Sequence, residues 1–266
     1  MQNKAWVSRF SLSRCLLLAL VLLLTMRPVA AETSTAGGPL HILITYRSAA
    51  ADRPAFRDYL RGEGMAHFGK LKQDGVIASY QVLYNPFVQD GTWDAMLVLG
   101  FKTYTDTQKW KDIESTMPGG LTPAGVKLAH PLTTISADLM WSETGKNPGV
   151  AKDGVYYVIP YEYNNKDQYR EYVDGYVIPQ VKGWLGEGVL SSYRIYMNRY
   201  PVGPTTDALF IYQYRDLDAF GKREATVAKI RKTLKDDPVW KKWSDIKATI
   251  RDETENTITE LLEPKK

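Results

Sequence analysis

Residues 75–100 read GVIASYQVLYNPFVQDGTWDAMLVLG, and residues 188–213 read GVLSSYRIYMNRYPVGPTTDALFIYQ. Aligned without a gap, the two stretches are identical at eight of 26 positions, where ordinary residue usage gives roughly one or two matches by chance. Residues 56–60, FRDYL, return as YREYV at 169–173, at the same offset of 113 residues. One structural unit is therefore present twice in this chain.

The spacing of apolar residues predicts the same order of elements in both copies. Asp52 and Pro54 indicate a helix start, since Asp caps free amides and Pro fits the first helical turn. Pro179 predicts a kink or a break in the corresponding helix of the second copy. The predicted strands are 40–46, 76–85, 93–102 and 132–141, then 155–161, 189–198, 207–215 and 255–262. The predicted helices are 52–74 and 104–117, then 166–185, 217–235 and an additional one at 238–247.

The strands carry large apolar side chains on both faces. In 76–84, Tyr80 and Val82 point to one face, while Ile77 and Leu83 point to the other. A four-stranded sheet with helices on one side and water on the other would alternate between apolar and polar residues. The second apolar face of these strands must also pack against another element. The sheet of the other copy can provide that surface without any further element. We therefore expect a closed or nearly closed β-barrel with helices outside.

The order β-α-β-β-α-β in each copy is the split βαβ arrangement of ferredoxin-like folds. Together with the duplicated segment and the strand patterning, it resembles the dimeric α+β barrel superfamily, to which antibiotic-monooxygenase-like proteins belong. The resemblance implies an α+β fold in which two tandem ferredoxin-like units form one pseudo-dimeric α+β barrel. The first unit is predicted at 40–142 and the second at 155–262, with 143–154 as the linker.

The N-terminus has the pattern of a secretory signal peptide. Three basic residues precede an apolar run at 15–24, and a stretch of small residues ends at Ala31. The run is too short to span a hydrocarbon core of ~30 Å, so we expect no membrane insertion after the signal is removed. The sequence predicts cleavage of 1–31, a flexible lead-in at 32–39, and an exported protein that resides in the periplasm.

The net charge of the chain lies in that segment. The full chain has 34 Lys and Arg against 30 Asp and Glu, and residues 1–31 hold four basic side chains and no acidic one. The mature chain is then formally neutral, so its charge gives no support for nucleic acid as a partner. The single cysteine, Cys15, leaves with the signal, which excludes a disulfide, a thiol nucleophile and a cysteine metal ligand.

The resemblance also indicates where a ligand would lie. In the small monooxygenases and haem degraders of the superfamily, the ligand lies between the sheet and the helices of one unit. His67, on the predicted inner face of the first helix, is then a candidate general base or axial haem ligand. A half-buried histidine bonded to backbone is the alternative. The three histidines show no metal-ligand spacing, so no metal and no cofactor is predicted.

Four tyrosines are candidates for the ligand pocket. Tyr80 and Tyr193 occupy one position of the repeat, and Tyr46 and Tyr161 occupy another. A phenol inside a pocket can orient a substrate or donate a hydrogen bond to a developing oxyanion. Tyrosine also suits strands and fills barrels, so core packing is the alternative.

Asn85 and Asn198 are repeated polar residues at the connection between the two strands of each duplicated segment, with Asp94 and Asp207 at its other end. If they converge at a barrel rim, they could bind a ligand or an ion. Both residue types are also standard at strand ends, where their side chains hydrogen-bond local backbone.

These observations favour a protein that binds a small apolar or aromatic molecule, with any chemistry resembling that of cofactor-free monooxygenases or isomerases. A non-catalytic module that contacts another envelope protein or a second copy of this chain is one alternative. A haem-binding enzyme is another. In the haem-binding dismutases of the superfamily a histidine of the second unit supports the haem, and residues 155–262 contain no histidine, which argues against it.

Overall fold

The computed structural model describes residues 40–87, 91–146, 153–201 and 206–265. The predicted signal peptide and lead-in, residues 1–39, lie outside the described residues. The described residues form strands and helices in the order that the repeat predicts.

All eight predicted strands are present, and a ninth, of three residues, precedes the last of them. One strand, β4, has 16 residues and runs through Glu143 and Thr144, so it extends two residues into the segment predicted as the linker. The strands are β1 (Leu40–Ser48), β2 (Ser79–Tyr84), β3 (Ala95–Gly100), β4 (Ala129–Thr144), β5 (Val155–Tyr163), β6 (Leu190–Asn198), β7 (Ala208–Tyr214), β8 (Arg251–Glu253) and β9 (Thr257–Leu261).

The helices lie on the outside of the strands, in the predicted places except for a four-residue helix at Pro123–Val126, which the sequence pattern does not predict. The additional helix of the second unit begins at Pro238, where the Asp237 side chain accepts hydrogen bonds from the amides of Val239 and Trp240. The α-helices are α1 (Arg53–Tyr59), α2 (Met65–Gln73), α3 (Thr107–Glu114), α4 (Pro123–Val126), α5 (Lys166–Tyr172), α6 (Ile178–Gly186), α7 (Leu217–Gly221), α8 (Arg223–Leu234) and α9 (Pro238–Ile250).

A π-helical turn interrupts the first long helix of each unit. It joins α1 to α2 at Leu60–Gly64, and α5 to α6 at Val173–Val177, 113 residues later. Pro179 follows the second turn, where the sequence predicts a kink or a break. The first unit has Ala66 at the corresponding position and contains the same turn, so proline is not its cause.

Eight strands close into one antiparallel barrel in the order β7-β6-β4-β1-β3-β2-β9-β5, and β5 pairs back to β7. The first unit contributes β4-β1-β3-β2, and the second contributes β9-β5-β7-β6. The last strand of each unit also pairs with a strand of the other unit. The two seams between the units are therefore the β4–β6 and β2–β9 pairings. The expected fold, two tandem ferredoxin-like units in one pseudo-dimeric α+β barrel, is confirmed.

Apolar side chains from both sheets fill the barrel lumen. The opposite faces of the same strands pack beneath the helices of their own unit, in two further clusters. Both faces of each sheet are therefore covered, as the strand pattern requires. The lumen cluster includes Leu43, Leu83, Met96, Val98, Ile135, Tyr156, Val158, Tyr196, Leu209 and Ile211.

Two leucines test whether the lumen is packed. Leu83 is 0 % exposed at the β2–β9 seam, and Leu217 is 72 % exposed. We expect Leu83→Ala to lower the free energy of unfolding by about 2–5 kcal/mol, because it leaves a cavity in the lumen. Leu217→Ala serves as the control and should change it by less than about 0.5 kcal/mol. Urea unfolding measures both, and equally small losses would contradict a packed lumen.

Candidate functional site

A cavity of about 690 Å³ opens at one end of the barrel. The cavity borders the β2–β9 seam, where β9 pairs with β2 only at Leu83 and Tyr84. Beyond this seam the chain turns towards the helices, and the Lys265 amide donates to the carbonyl of Arg61 at 2.9 Å. The first residues of β2 are therefore not paired to β9 and form one wall of the cavity.

The duplication places matched positions of the two units at this end of the lumen. Deeper in the barrel the matched residues are apolar, as Leu43 and Val158 show. At the open end most of the matched residues are polar and three of the four pairs are unlike, so the two units contribute different side chains to this end. The pairs are Ser79 with Ser192, Gln81 with Arg194, His41 with Tyr156, and Gly100 with Gln213.

Arg194 is half-buried and reaches its counterpart in the other unit. Its Nη2 donates to Oε1 of Gln81, and its Nη1 donates to the hydroxyl of Tyr196 at 3.4 Å. Both acceptors are uncharged. Within the described chain, Arg194 has no ion pair with a carboxylate, so its positive charge remains available at the cavity wall.

His41 lies beside this guanidinium. Its ring meets that of Tyr196 edge-on, with 5.2 Å between centroids, and its buried Nδ1 has no hydrogen-bond partner in the described protein. Burial, assisted by the charge of Arg194, lowers the pKa of His41 to about 4, and the carboxylate of Asp138 opposes this only in part. The imidazole at this end of the lumen is therefore neutral near pH 7.

Tyr80 and Tyr193, predicted for the ligand pocket, both line this cavity. The Tyr80 hydroxyl donates to the carbonyl of Met65 at 3.4 Å, so it faces α2. Burial, and next the nearby carboxylate of Glu143, raises the pKa of Tyr193 to about 12. Both phenols therefore belong to the wall on the helix side of the strands.

Tyr46 and Tyr161, the other predicted pair, lie in the two sheet–helix cores. The Tyr46 hydroxyl is buried and donates to the carbonyl of Gly119. The Tyr161 ring packs edge-on against Phe210, with 4.7 Å between centroids, under the guanidinium of Arg251. Burial raises the pKa of both phenols. Neither residue lines the barrel-end cavity.

Asn85 and Asn198 make the same local bonds in both units. Asn85 Nδ2 donates to the carbonyl of Trp93 and its Oδ1 accepts from the Phe87 amide. Asn198 repeats this with the carbonyl of Thr206 and the amide of Tyr200. Their side-chain amides therefore bond to local backbone on either side of the strand connection. This connection lies at the opposite end of the barrel from the cavity. A role for them towards a ligand stays a prediction.

His67 lies on α2 but does not line the barrel-end cavity. Its ring is next to that of Phe68, with 5.7 Å between centroids, and its buried Nε2 has no partner among the described residues. Burial lowers the pKa of His67, and the carboxylate of Glu63 opposes the shift. The structure thus separates His67 from the polar cluster around Arg194, and its catalytic role stays a prediction.

The space between the sheet and the helices of the second unit is packed with buried aromatic side chains. Tyr172 stacks on Tyr176, which stacks on Trp240 of α9, with centroid distances of 5.2 and 5.1 Å. No histidine is available in residues 155–262 to hold an iron. The residues present therefore do not fit a haem supported by the second unit.

Solved structures with little sequence similarity share this architecture. An "anthrone oxidase-like protein" aligns with a TM-score of 0.54 and 9% identity, covering 85% of this chain and 91% of its own. A mutant chlorite dismutase from Candidatus Nitrospira defluvii aligns with a TM-score of 0.51 and 10% identity, covering 85% and 92%. A "putative monooxygenase" from Lactobacillus acidophilus NCFM gives 0.51 and 11%, covering 84% and 94%. No protein-family model and no curated protein sequence matches this chain.

This chain has the dimeric α+β barrel fold. The resemblance read from the repeat is confirmed at the level of the fold. At these identities the similarity concerns the architecture alone, so the function of this α+β barrel has to be argued from its own cavity.

Sequence reasoning missed the lumen residues of the site, His41, Gln81 and Arg194. The alternation of β2 and β6 places Gln81 and Arg194 on the face opposite Tyr80 and Tyr193. A signal was available, because a glutamine and an arginine at matched positions are unusual on a strand face whose deeper residues are apolar. Interpreting that signal requires knowing which strand face lines the lumen and which end of the barrel is open.

The described part of the barrel has neither a membrane-spanning helix nor a cluster of metal ligands. None of its helices is long and apolar enough to cross a membrane. It contains no group of three or more His, Cys, Asp or Glu side chains arranged to hold a metal ion.

The titration of His41 predicts a dependence of stability on pH. In the unfolded chain a histidine binds a proton below about pH 6.5, whereas folded His41 does so only near pH 4. Acid therefore favours the unfolded state through this residue, and its stabilising effect is lost as the pH falls from 6.5 to 4. We expect His41→Phe to reduce the loss of unfolding free energy between pH 7 and pH 4.5. Urea titrations at the two pH values measure it.

The exposed His130 on β4 supplies the matched control. His130→Phe should leave the difference between pH 7 and pH 4.5 as it is in the parent protein. A His41→Phe protein with the parent's pH dependence would contradict the burial and charge environment described for His41.

Proposed function

We propose that this chain is an exported α+β barrel protein that binds a small molecule with an apolar or aromatic body in the barrel-end cavity. The observation that carries the proposal is a cavity of about 690 Å³ whose lining combines apolar side chains with polar ones. Small-molecule sites have this size, roughly 300–1,000 Å³, and use polar groups to orient a bound apolar body.

The lining divides into two parts. The apolar part comes from the lumen cluster and from the sheet–helix cluster of the first unit, and it can take a ring or a short hydrocarbon body. The polar part comes from the paired lumen positions and can orient such a body by hydrogen bonds. The apolar residues are Met65, Val82, Val98, Leu139, Leu261 and Leu262, and the polar ones include His41, Ser79, Gln81, Ser192, Arg194 and Gln213.

The activity that we attach to this site is oxygenation or isomerisation without a cofactor. It is supported by the neutral imidazole of His41 at the cavity wall, which can accept a hydrogen bond from a bound phenol or enol and so orient it. Two solved structures of the same fold carry names of oxidising enzymes, which agrees with this choice. Oxygen uptake and isomer analysis, with each ligand that binds, test for turnover.

Gly100 tests the location of ligand binding. A Cβ atom at this position would collide with Oγ of Ser79 and come within 3.5 Å of His41 Nε2, so alanine fills space at the polar wall. We expect Gly100→Ala to weaken binding by about tenfold, or ~1.4 kcal/mol. A thermal-shift screen of the mature chain against phenols, quinones and haem finds the ligand, and calorimetric titration measures its affinity.

Gly186, at the end of α6, is the control for that substitution. A Cβ there meets no atom within 4 Å, and Gly186 does not line this cavity. Gly186→Ala should bind the ligand as the parent does. If no compound of the screen binds, or if both alanine variants bind like the parent, the ligand site is not at this end of the barrel.

Export is tested separately from binding. When the full chain is expressed in a bacterium that has a general secretory pathway, we expect periplasmic protein whose N-terminus is Glu32, because small residues precede that bond. Intact-mass measurement on the periplasmic fraction identifies the terminus. Ala31→Phe should shift or slow the cleavage, and cytoplasmic protein that retains residues 1–31 would contradict export.

A further inference from the structure

We propose that the barrel-end cavity binds its ligand as a monoanion, with Arg194 as the residue that recognises the negative group. The ligand class is a small carboxylate or phenolate with an apolar body. This inference rests on the proposed function and specifies the ligand class of the same site.

The guanidinium of Arg194 has no charged partner among the described residues. Arginine has five N–H donors and keeps its charge at every physiological pH. The contacts described for Arg194 are to two neutral oxygens, those of Gln81 and Tyr196, and the residue also lines the cavity. A half-buried cation without a carboxylate partner is costly unless an anion completes the site. A bound carboxylate or phenolate would supply a charge-assisted hydrogen bond there.

The other charged side chains near the cavity are exposed to solvent, paired, or on the helix side of the strands. Lys72 and Glu263 line the cavity, are exposed to solvent and have opposite signs. Asp138, which influences His41, is paired with the guanidinium of Arg199. Glu143, on the helix side, lies beside the Tyr193 hydroxyl. Among the described residues that line this cavity, the charge left on the lumen side is therefore that of Arg194.

The repeat places Gln81 and Arg194 at matched positions of the two units. The unit that contains Arg194 and the unit that contains Gln81 have the same strand frame, and the two side chains meet at the barrel end. The first unit forms the same strands with glutamine at this position, so the strand geometry itself does not require arginine. One cation rather than two suits a singly charged ligand. Arg194→Gln places in the second unit the residue that the first already carries.

The experiment compares ligands that differ only in charge. Benzoate and 4-hydroxybenzoate are titrated against benzamide and 4-hydroxybenzamide by calorimetry, with the mature full-length chain at pH 7. We expect the parent protein to bind the carboxylates more tightly than their amides. Arg194→Gln should weaken carboxylate binding at least about tenfold, or ~1.4 kcal/mol, and change amide binding by less than about twofold.

Arg57 supplies the matched control, because it pairs with Glu260 on the outside of the barrel and does not line the cavity. Arg57→Gln should bind all four compounds as the parent does. If carboxylates and amides bind equally and Arg194→Gln affects them equally, the monoanion assignment is wrong while the proposed ligand site stands. If none of the compounds and none of the wider screen binds, both proposals fail.

A second measurement uses the parent protein and does not depend on a variant that folds. The ionisation of 4-nitrophenol is visible in its absorption spectrum. Bound beside a guanidinium, its phenolate form is favoured, so its apparent pKa should fall below that of the free compound. An unchanged or raised pKa in the bound state would overturn the assignment, because a cavity without an available cation disfavours the anion.

Discussion

The structure depends on the burial of apolar side chains on both faces of two four-stranded sheets. One face of each sheet is covered by its own helices, and the other can be covered only by the partner sheet. Leu43 and Leu83 of the first unit and Leu209 and Ile211 of the second meet in one lumen cluster. Neither unit can cover its lumen face alone. The barrel closes because β4 also pairs with β6, and β9 also pairs with β2, of the other unit.

The two seams of that ring are unequal, and the site follows from the difference. β4 has 16 residues and pairs with β6 from Ala137↔Asn198 to Thr144↔Ser192, whereas β9 has five and pairs with β2 at two positions. The start of β2 is therefore not paired to β9, and the polar lumen pairs lie beside this opening. Gene duplication alone gives a symmetric barrel. The short last strand and the unlike pair Gln81 and Arg194 make one end of it a site.

The sequence predicts most of the fold and only part of the candidate site. The repeat gives the element order, and the strand pattern requires closure of the barrel, because Tyr80 and Leu83 are apolar on opposite faces. Tyr80 and Tyr193 line the cavity that the structure contains. His41 and Arg194 could not be identified, since their significance depends on which strand ends meet and which end stays open. The lengths of β4 and β9 decide which end of the barrel stays open. The sequence does not predict these lengths, because the apolar pattern is weak in both strands. The repeated π-helical turns were also missed, because a local change in helical hydrogen bonding leaves no mark in residue spacing.

Methyl nuclear Overhauser contacts across the lumen test the central claim most directly. The account predicts contacts from Leu43 and Leu83 of the first unit to Leu209 and Ile211 of the second, in the mature chain in solution. Two results together would contradict a shared lumen: methyl contacts confined within 40–144 and within 155–261, and lumen-facing leucines that are accessible to a soluble probe. The barrel-end cavity would then lack the walls that the two sheets provide.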